Sequence, residues 1–205
     1  MIPGTIPIAG LAPRVELSYR GVYNDDTNGL SYSFSVDIGD AHAKRAVFVG
    51  TDWSMDTVTV NGTSLALLHH FSDEYVWGAL VPTGSGSVTV AVSRASVVVN
   101  HLSIAVWTVK NLRSMTPVDM CGTSAAGTPS DSMSVEAGGV AIAFGASNGG
   151  FSNIAFSGIT NDGKINNDNS FPIAAGSDLM TTTGTLNISL SSGGSFKAFA
   201  AVSMR

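Results

Sequence analysis

Ser-Val-Thr-Val-Ala-Val-Ser at 87–93 is the stretch that decides the fold, because Thr-Leu-Asn-Ile-Ser-Leu-Ser at 185–191 repeats its pattern. Each run follows a glycine. Each places an apolar residue at every second position: Val88, Val90 and Val92 in the first, Leu186, Ile188 and Leu190 in the second. Small or hydroxylated residues fill most of the places between. Side chains of a strand alternate between its faces, so this period predicts two strands that each bury one face and leave the other in water.

Working outward, three more segments recur around this pair. Residues 46–50 align with 141–145, 57–62 with 153–158 and 103–109 with 197–203, so that the four offsets are 95, 96, 98 and 94 residues. Offsets this constant predict an internal duplication, with repeat-like halves over 45–110 and 139–204. The segment 111–131, with two prolines and no sustained period, is expected to be the crossover between them. Upstream, residues 15–23 alternate, and Asn-Asp-Asp-Thr-Asn-Gly at 24–29 supplies a turn signal that reads as the start of a hairpin. The run 30–38 then sets Leu30, Tyr32, Phe34, Val36 and Ile38 on one face against serines and Asp37 on the other. Asn61-Gly62 between apolar runs is a hairpin turn signal. About ten strands and almost no helix must stack to hide their edges. The expectation is an all-β, two-sheet β-sandwich of jelly-roll-like topology, forming one domain over 14–205. Ahead of it, the apolar residues Ile2, Pro3, Ile6, Pro7, Ile8, Leu11 and Pro13 predict an extended N-terminal arm over 1–13, since proline bars a helix there.

Composition narrows the function classes. The chain of 205 residues carries 12% charged residues, 44% hydrophobic residues and 23 glycines, so hydroxyl and backbone groups must cover much of its surface. A net charge of -5, with no basic cluster larger than Lys44-Arg45, argues against binding nucleic acid through phosphates. A lone cysteine, Cys121, excludes an intramolecular disulfide framework and fits a reducing cytoplasm. No stretch approaches the roughly 20 apolar residues of a membrane-spanning helix.

The chemistry-bearing residues do not form a familiar constellation. His69-His70 sits on an extended segment, where neighbours point to opposite faces and do not chelate one ion. His42 and His101 stand alone and read as surface or turn residues, and Cys121 as a packing residue. Gly-Thr-Ser-Leu-Ala at 62–66 misses the nucleophile elbow at its last position. The Asx-rich stretches 24–29 and 161–169 offer oxygen ligands but lack the closing Glu of an EF-hand, and they read as turns. No cofactor, no metal and no catalytic residue is expected. Trp77 and Trp107 lie inside alternating strands and read as core, whereas Trp53, in the polar stretch 51–54, is expected to be exposed and available for contact.

Taken in order, Val-Phe-Val-Gly (47–50), Val-Asn-Gly (60–62), Trp-Gly-Ala-Leu-Val-Pro-Thr-Gly (77–84), Ile-Ala-Val-Trp (104–107), Gly-Gly-Val-Ala-Ile-Ala (138–143) and Ala-Ala-Val-Ser (200–203) resemble β-sandwich structural proteins of tailed bacteriophages and prophages. The resemblance implies a virion subunit, of the capsid-decoration, head-fibre, collar or tail-accessory kind, made in the host cytoplasm. It implies major capsid or tail proteins as partners and a homo-oligomer, without nucleic acid or membrane contact, and it brings no catalytic residues. The N-terminal arm would then lie in an inter-subunit groove. A carbohydrate- or receptor-binding module, with Trp53 as its platform for a glycan, is the alternative.

Overall fold

The computed structural model describes residues 13–149, 153–165 and 171–205. Pro13 is exposed; the other arm residues named above lie outside the described residues. In the first half the strands are β1 (Glu16–Asp25), β2 (Ser31–Asp37), β3 (Arg45–Thr51), β4 (Thr57–Val60), β5 (Thr63–Ser64), β6 (Ala66–Phe71), β7 (Glu74–Leu80), β8 (Ser87–Ser93) and β9 (Leu102–Lys110). The second half contains β10 (Asp119–Ala125), β11 (Ser130–Val135), β12 (Val140–Asn148), β13 (Ala155–Ser157), β14 (Asn161–Ile165), β15 (Ile173–Leu179), β16 (Gly184–Ser191) and β17 (Phe196–Met204). The all-β sandwich architecture is thus present, with 17 strands in four antiparallel sheets among the described residues rather than about ten in two.

The sheets stack as four layers. In the first half an outer sheet, β2-β8-β4-β5, faces an inner sheet, β1-β9-β3-β7-β6. In the second half β11-β16-β13 faces β10-β17-β12-β15-β14. One apolar cluster (Phe34, Val47, Val90, Ile104 and their neighbours) fills the first sandwich, and another (Met133, Ala143, Ile188, Phe199) fills the second. A third welds the two inner sheets back to back, with Phe48, Val76 and Trp107 meeting Ile142, Phe144 and Val202. The central strands of the inner sheets therefore have no wet face, which is why β3, β9 and β12 are buried almost end to end with no alternation while β2 alternates between exposed and buried residues along its whole length. At Gly50 a Cβ would strike the ring of Phe144 from the opposite inner sheet, so this close approach requires glycine.

The two halves share a pattern of pairing. β1 pairs with β9, β2 with β8 and β3 with β7; β10 pairs with β17, β11 with β16 and β12 with β15 in the same nested order. It therefore begins at β1 and β10, and the expected crossover 111–131 in fact holds β10 and the start of β11. The alignment of 46–50 with 141–145 is also out by one residue. Gly50 faces the other half, whereas a Cβ on Gly145 would meet Leu190 and Phe199 inside its own sandwich. A one-residue slip exchanges the faces of a strand. Matching both face and pairing makes Phe48 the counterpart of Ile142, Val76 of Ala175 and Trp107 of Val202.

Local signals fare unevenly. Asn61 and Gly62, both with positive φ (50° and 78°), join β4 to β5 as the predicted hairpin. The turn at 24–29 makes no hairpin: β1 and β2 lie in different sheets, so it carries the chain from one layer to the next. Tyr32, Phe34, Val36 and Ile38 point inward as expected, but Leu30 is exposed. Arg45, read from sequence as half of a basic pair, is fully buried. Its guanidinium donates to the carbonyls of Val81, Asp40, Thr83 and Gly84 at 2.6–3.0 Å, pinning two turns to the start of β3.

Candidate functional site

At one end of the seam between the two inner sheets, the apolar packing gives way to buried acids. Thr51 of β3 stands opposite Tyr75 of β7 and Ile104 of β9, which brings Asp52, Glu74 and Ser103 side by side across three strands, with His101 two residues before Ser103. The alternation that sends Phe48 and Val76 toward the second half sends Asp52 and Glu74 there too. A cleft of about 120 Å³ opens at this point, with Asp52, Trp53, Glu74 and His101 on one wall. Ser147, Phe171 and Phe196 of the second half form the other.

Asp52 and Glu74 are only 6% and 5% exposed, and neither is fully satisfied. The Asp52 Oδ1 accepts the Ser103 N–H at 2.8 Å. Its Oδ2 lies 3.4 Å from His101 Nε2, within ion-pair range but not aligned as a hydrogen bond. The His101 Nδ1 is 2.9 Å from Asn100 Oδ1, and the Trp53 indole N–H donates to His101 Nε2 at 3.3 Å. With Nδ1–H donating to Asn100 and Nε2 accepting from Trp53, the imidazole has no proton left for Asp52. Burial pushes the Asp52 carboxyl above its ordinary range, against the lowering effect of His101 and Ser103. Glu74 is pushed up to about 9, first by burial and then by the nearby charges of Asp73 and Asp52. Its Oε2 has no hydrogen-bond partner.

The expected sites are placed differently. Trp53 is half-buried: its indole packs against the first sandwich's core and meets the His101 ring edge-on at 5.7 Å. His101, read as a surface or turn residue, is 1% exposed and stacks on Phe171 at 5.2 Å. Trp77 and Trp107 are core residues as expected. Trp107 also reaches across the seam, donating to Asp162 Oδ2 at 2.8 Å, where Ser177 donates as well. Asp162 is therefore spent inside the molecule. In the other Asx-rich stretch, Asp25 accepts from the backbone and hydroxyl of Thr27, the arrangement of a turn. His70 stacks on Tyr75 at 5.1 Å, and His69 is drawn below its ordinary range by burial. Among the described residues no group of three or more His, Cys, Asp or Glu could hold a metal ion. Cys121 is buried and its thiol pushed up to about 12, which suits packing rather than nucleophilic attack.

Sequence reasoning missed Asp52, Glu74 and His101 because they are far apart in the chain and lie at strand ends, where acids ordinarily sit in solvated turns. One signal was present: Asp52 and Glu74 keep the parity of the seam-facing residues Phe48 and Val76. Comparison of the chain with protein-family models, with curated proteins and with solved structures finds no match.

Proposed function

We propose that the chain is a structural subunit that acts through protein–protein contacts, of the capsid-decoration or head, neck or tail accessory kind found in bacteriophage particles. The observation that carries this reading is the largely apolar seam. Two sandwiches are joined through side chains such as Trp107 and Phe144, both fully buried, and the result is a stiff four-layer block suited to bearing contacts on its outer surfaces. The assignment to a phage particle rests on the sequence resemblance. The outer surface supports the contact role: Leu80 and Leu179, at equivalent ends of β7 and β15, are both exposed, as are Val97 and Val98. Neighbouring subunits are the occupants such side chains suit. Mass spectrometry of purified particles tests the reading. The protein should be present in stoichiometric copies, and deleting residues 1–13 should reduce its incorporation. Its absence from particles would overturn the proposal.

The cleft favours a second reading, recognition of a small ligand. Asp52 and Glu74 occupy a buried seam where apolar residues would be more stable, and a protein that holds such groups incompletely hydrogen-bonded commonly uses them.

A further inference from the structure

We propose that the cleft at the end of the seam binds a small organic cation of the guanidinium or alkylammonium class, with Glu74 and Asp52 as its hydrogen-bond acceptors and Phe171, Phe196 and Trp53 as its apolar wall. Among the described residues, four buried side-chain polar atoms lack a hydrogen-bond partner, and two of them, Asp52 Oδ2 and Glu74 Oε2, belong to residues that line this cleft. Native proteins satisfy nearly all such atoms, so two at one opening mark a place for a donor from outside. The second half shows that the fold does not require them. At the same face and pairing position Asp52 corresponds to Ala146, Glu74 to Ile173 and His101 to Phe196.

The lining chooses the chemistry of the donor. It includes three acids, Asp52, Asp73 and Glu74, and neither Lys nor Arg. A neutral polyol could satisfy the oxygens, but it brings no charge to a lining of three acids. A divalent metal has no set of three ligands among the described residues. A planar guanidinium or a primary ammonium fits the volume, supplies several N–H donors to the two carboxyl groups and is attracted to aromatic faces. The inference does not depend on the chain belonging to a particle.

Binding carries a proton signature. Glu74 is protonated in the empty cleft at neutral pH, since burial and the charges of Asp73 and Asp52 hold its proton on. The other titratable group facing it is His101; Ser147, Asn148, Phe171 and Phe196 on the opposite wall carry no charge. When the cation enters, Glu74 forms a carboxylate–cation pair and one proton leaves to solvent. Apparent affinity therefore rises by about tenfold per pH unit below the Glu74 titration.

Ethylguanidinium and its neutral analogue ethylurea, titrated into the full chain by calorimetry in two buffers of different ionisation enthalpy, test this. Saturable binding of ethylguanidinium with proton release, and none of ethylurea, is the expected result. Glu74→Gln, nearly isosteric and expected to fold, should weaken binding by at least about tenfold and abolish the proton release. Equal binding of ethylurea, no saturable binding of ethylguanidinium, or undiminished affinity in Glu74→Gln would overturn the proposal. A peptide with an accessible arginine that binds more tightly than ethylguanidinium would identify a partner's side chain as the source of the cation. A preference for ethylguanidinium itself would identify a free small molecule.

Discussion

The two halves of this chain share a scaffold and differ in what they bury at its seam. Both nest their strands in the same order, and both offer an inner sheet to the other. The first half places Asp52, Glu74 and His101 across three neighbouring strands where the second places Ala146, Ile173 and Phe196. Packing can explain Ala146 and Ile173, whose burial contributes to stability, while Phe196 stays exposed at the mouth of the cleft. It cannot explain the polar set, since each buried, unpartnered oxygen costs about 1–3 kcal/mol. The difference teaches that the two halves share the scaffold and that the polar end of the seam is particular to the first half.

The largest effect should come from breaking either sandwich. Val90→Asp and Ile188→Asp each place a charge at a fully buried position, in the first and second sandwich respectively, and each should cost more than about 4 kcal/mol. All three tryptophans lie in the first half, with Trp107 at the seam, so their fluorescence reports on that half and its contact with the second while circular dichroism reports on both halves. If the seam makes one cooperative unit, Ile188→Asp should lower the urea midpoint seen by both probes together. A tryptophan transition left unchanged would divide the molecule into independent halves.

The seam itself comes next. Phe144→Ala removes a fully buried ring and should destabilise the chain by about 3–5 kcal/mol in urea titrations. Gly50→Val, which forces a side chain against that same ring, should cost about 1–3 kcal/mol. A negligible loss in both would mean that the inner sheets are not welded.

Acidity sharpens the comparison further. The Glu74 pKa is raised on folding from an ordinary 4.5 to about 9, so the folded state binds the proton more tightly than the unfolded chain. Its contribution is thus fully present below about pH 4.5 and is lost as pH rises toward 9, with Asp52 acting in the same direction. His69, drawn below its ordinary range, acts oppositely on acidification, so the informative quantity is the difference between wild type and Glu74→Gln. Urea midpoints at several pH values should fall more steeply with rising pH in the wild type, and parallel profiles would refute the assignment. Giving the first half the residues of the second, through Asp52→Ala, Glu74→Ile and His101→Phe together, should raise stability by about 1–4 kcal/mol.

The smallest effect concerns a single hydroxyl. Tyr32 donates to the carbonyls of Thr27 or Val99 at 3.0 and 2.9 Å, tying the 24–29 turn to the first sandwich. Tyr32→Phe should cost about 1 kcal/mol, read as a shifted urea midpoint.

The sequence by itself determined the strands that bury one face. Val88, Val90 and Val92 alternate with smaller residues, and the period states both their conformation and their orientation. It also pointed to a repeated strand order, which the nested pairing of the two halves matches, and it placed the Asn61-Gly62 turn, whose backbone geometry is set by local sterics. Tertiary structure decided the rest. Doubly buried strands such as Val140–Asn148 lose their period, so sequence could not tell which face of Gly145 was which, and the repeat slipped by one residue. The number of layers and the candidate site were hidden for the same reason. Asp52, Glu74 and His101 become neighbours only through strand pairing, and the second half's Phe171 and Phe196 reach them only when the inner sheets stack. Local sequence specifies conformation through sterics and periodicity, whereas proximity between distant residues is set by which sheets bury one another.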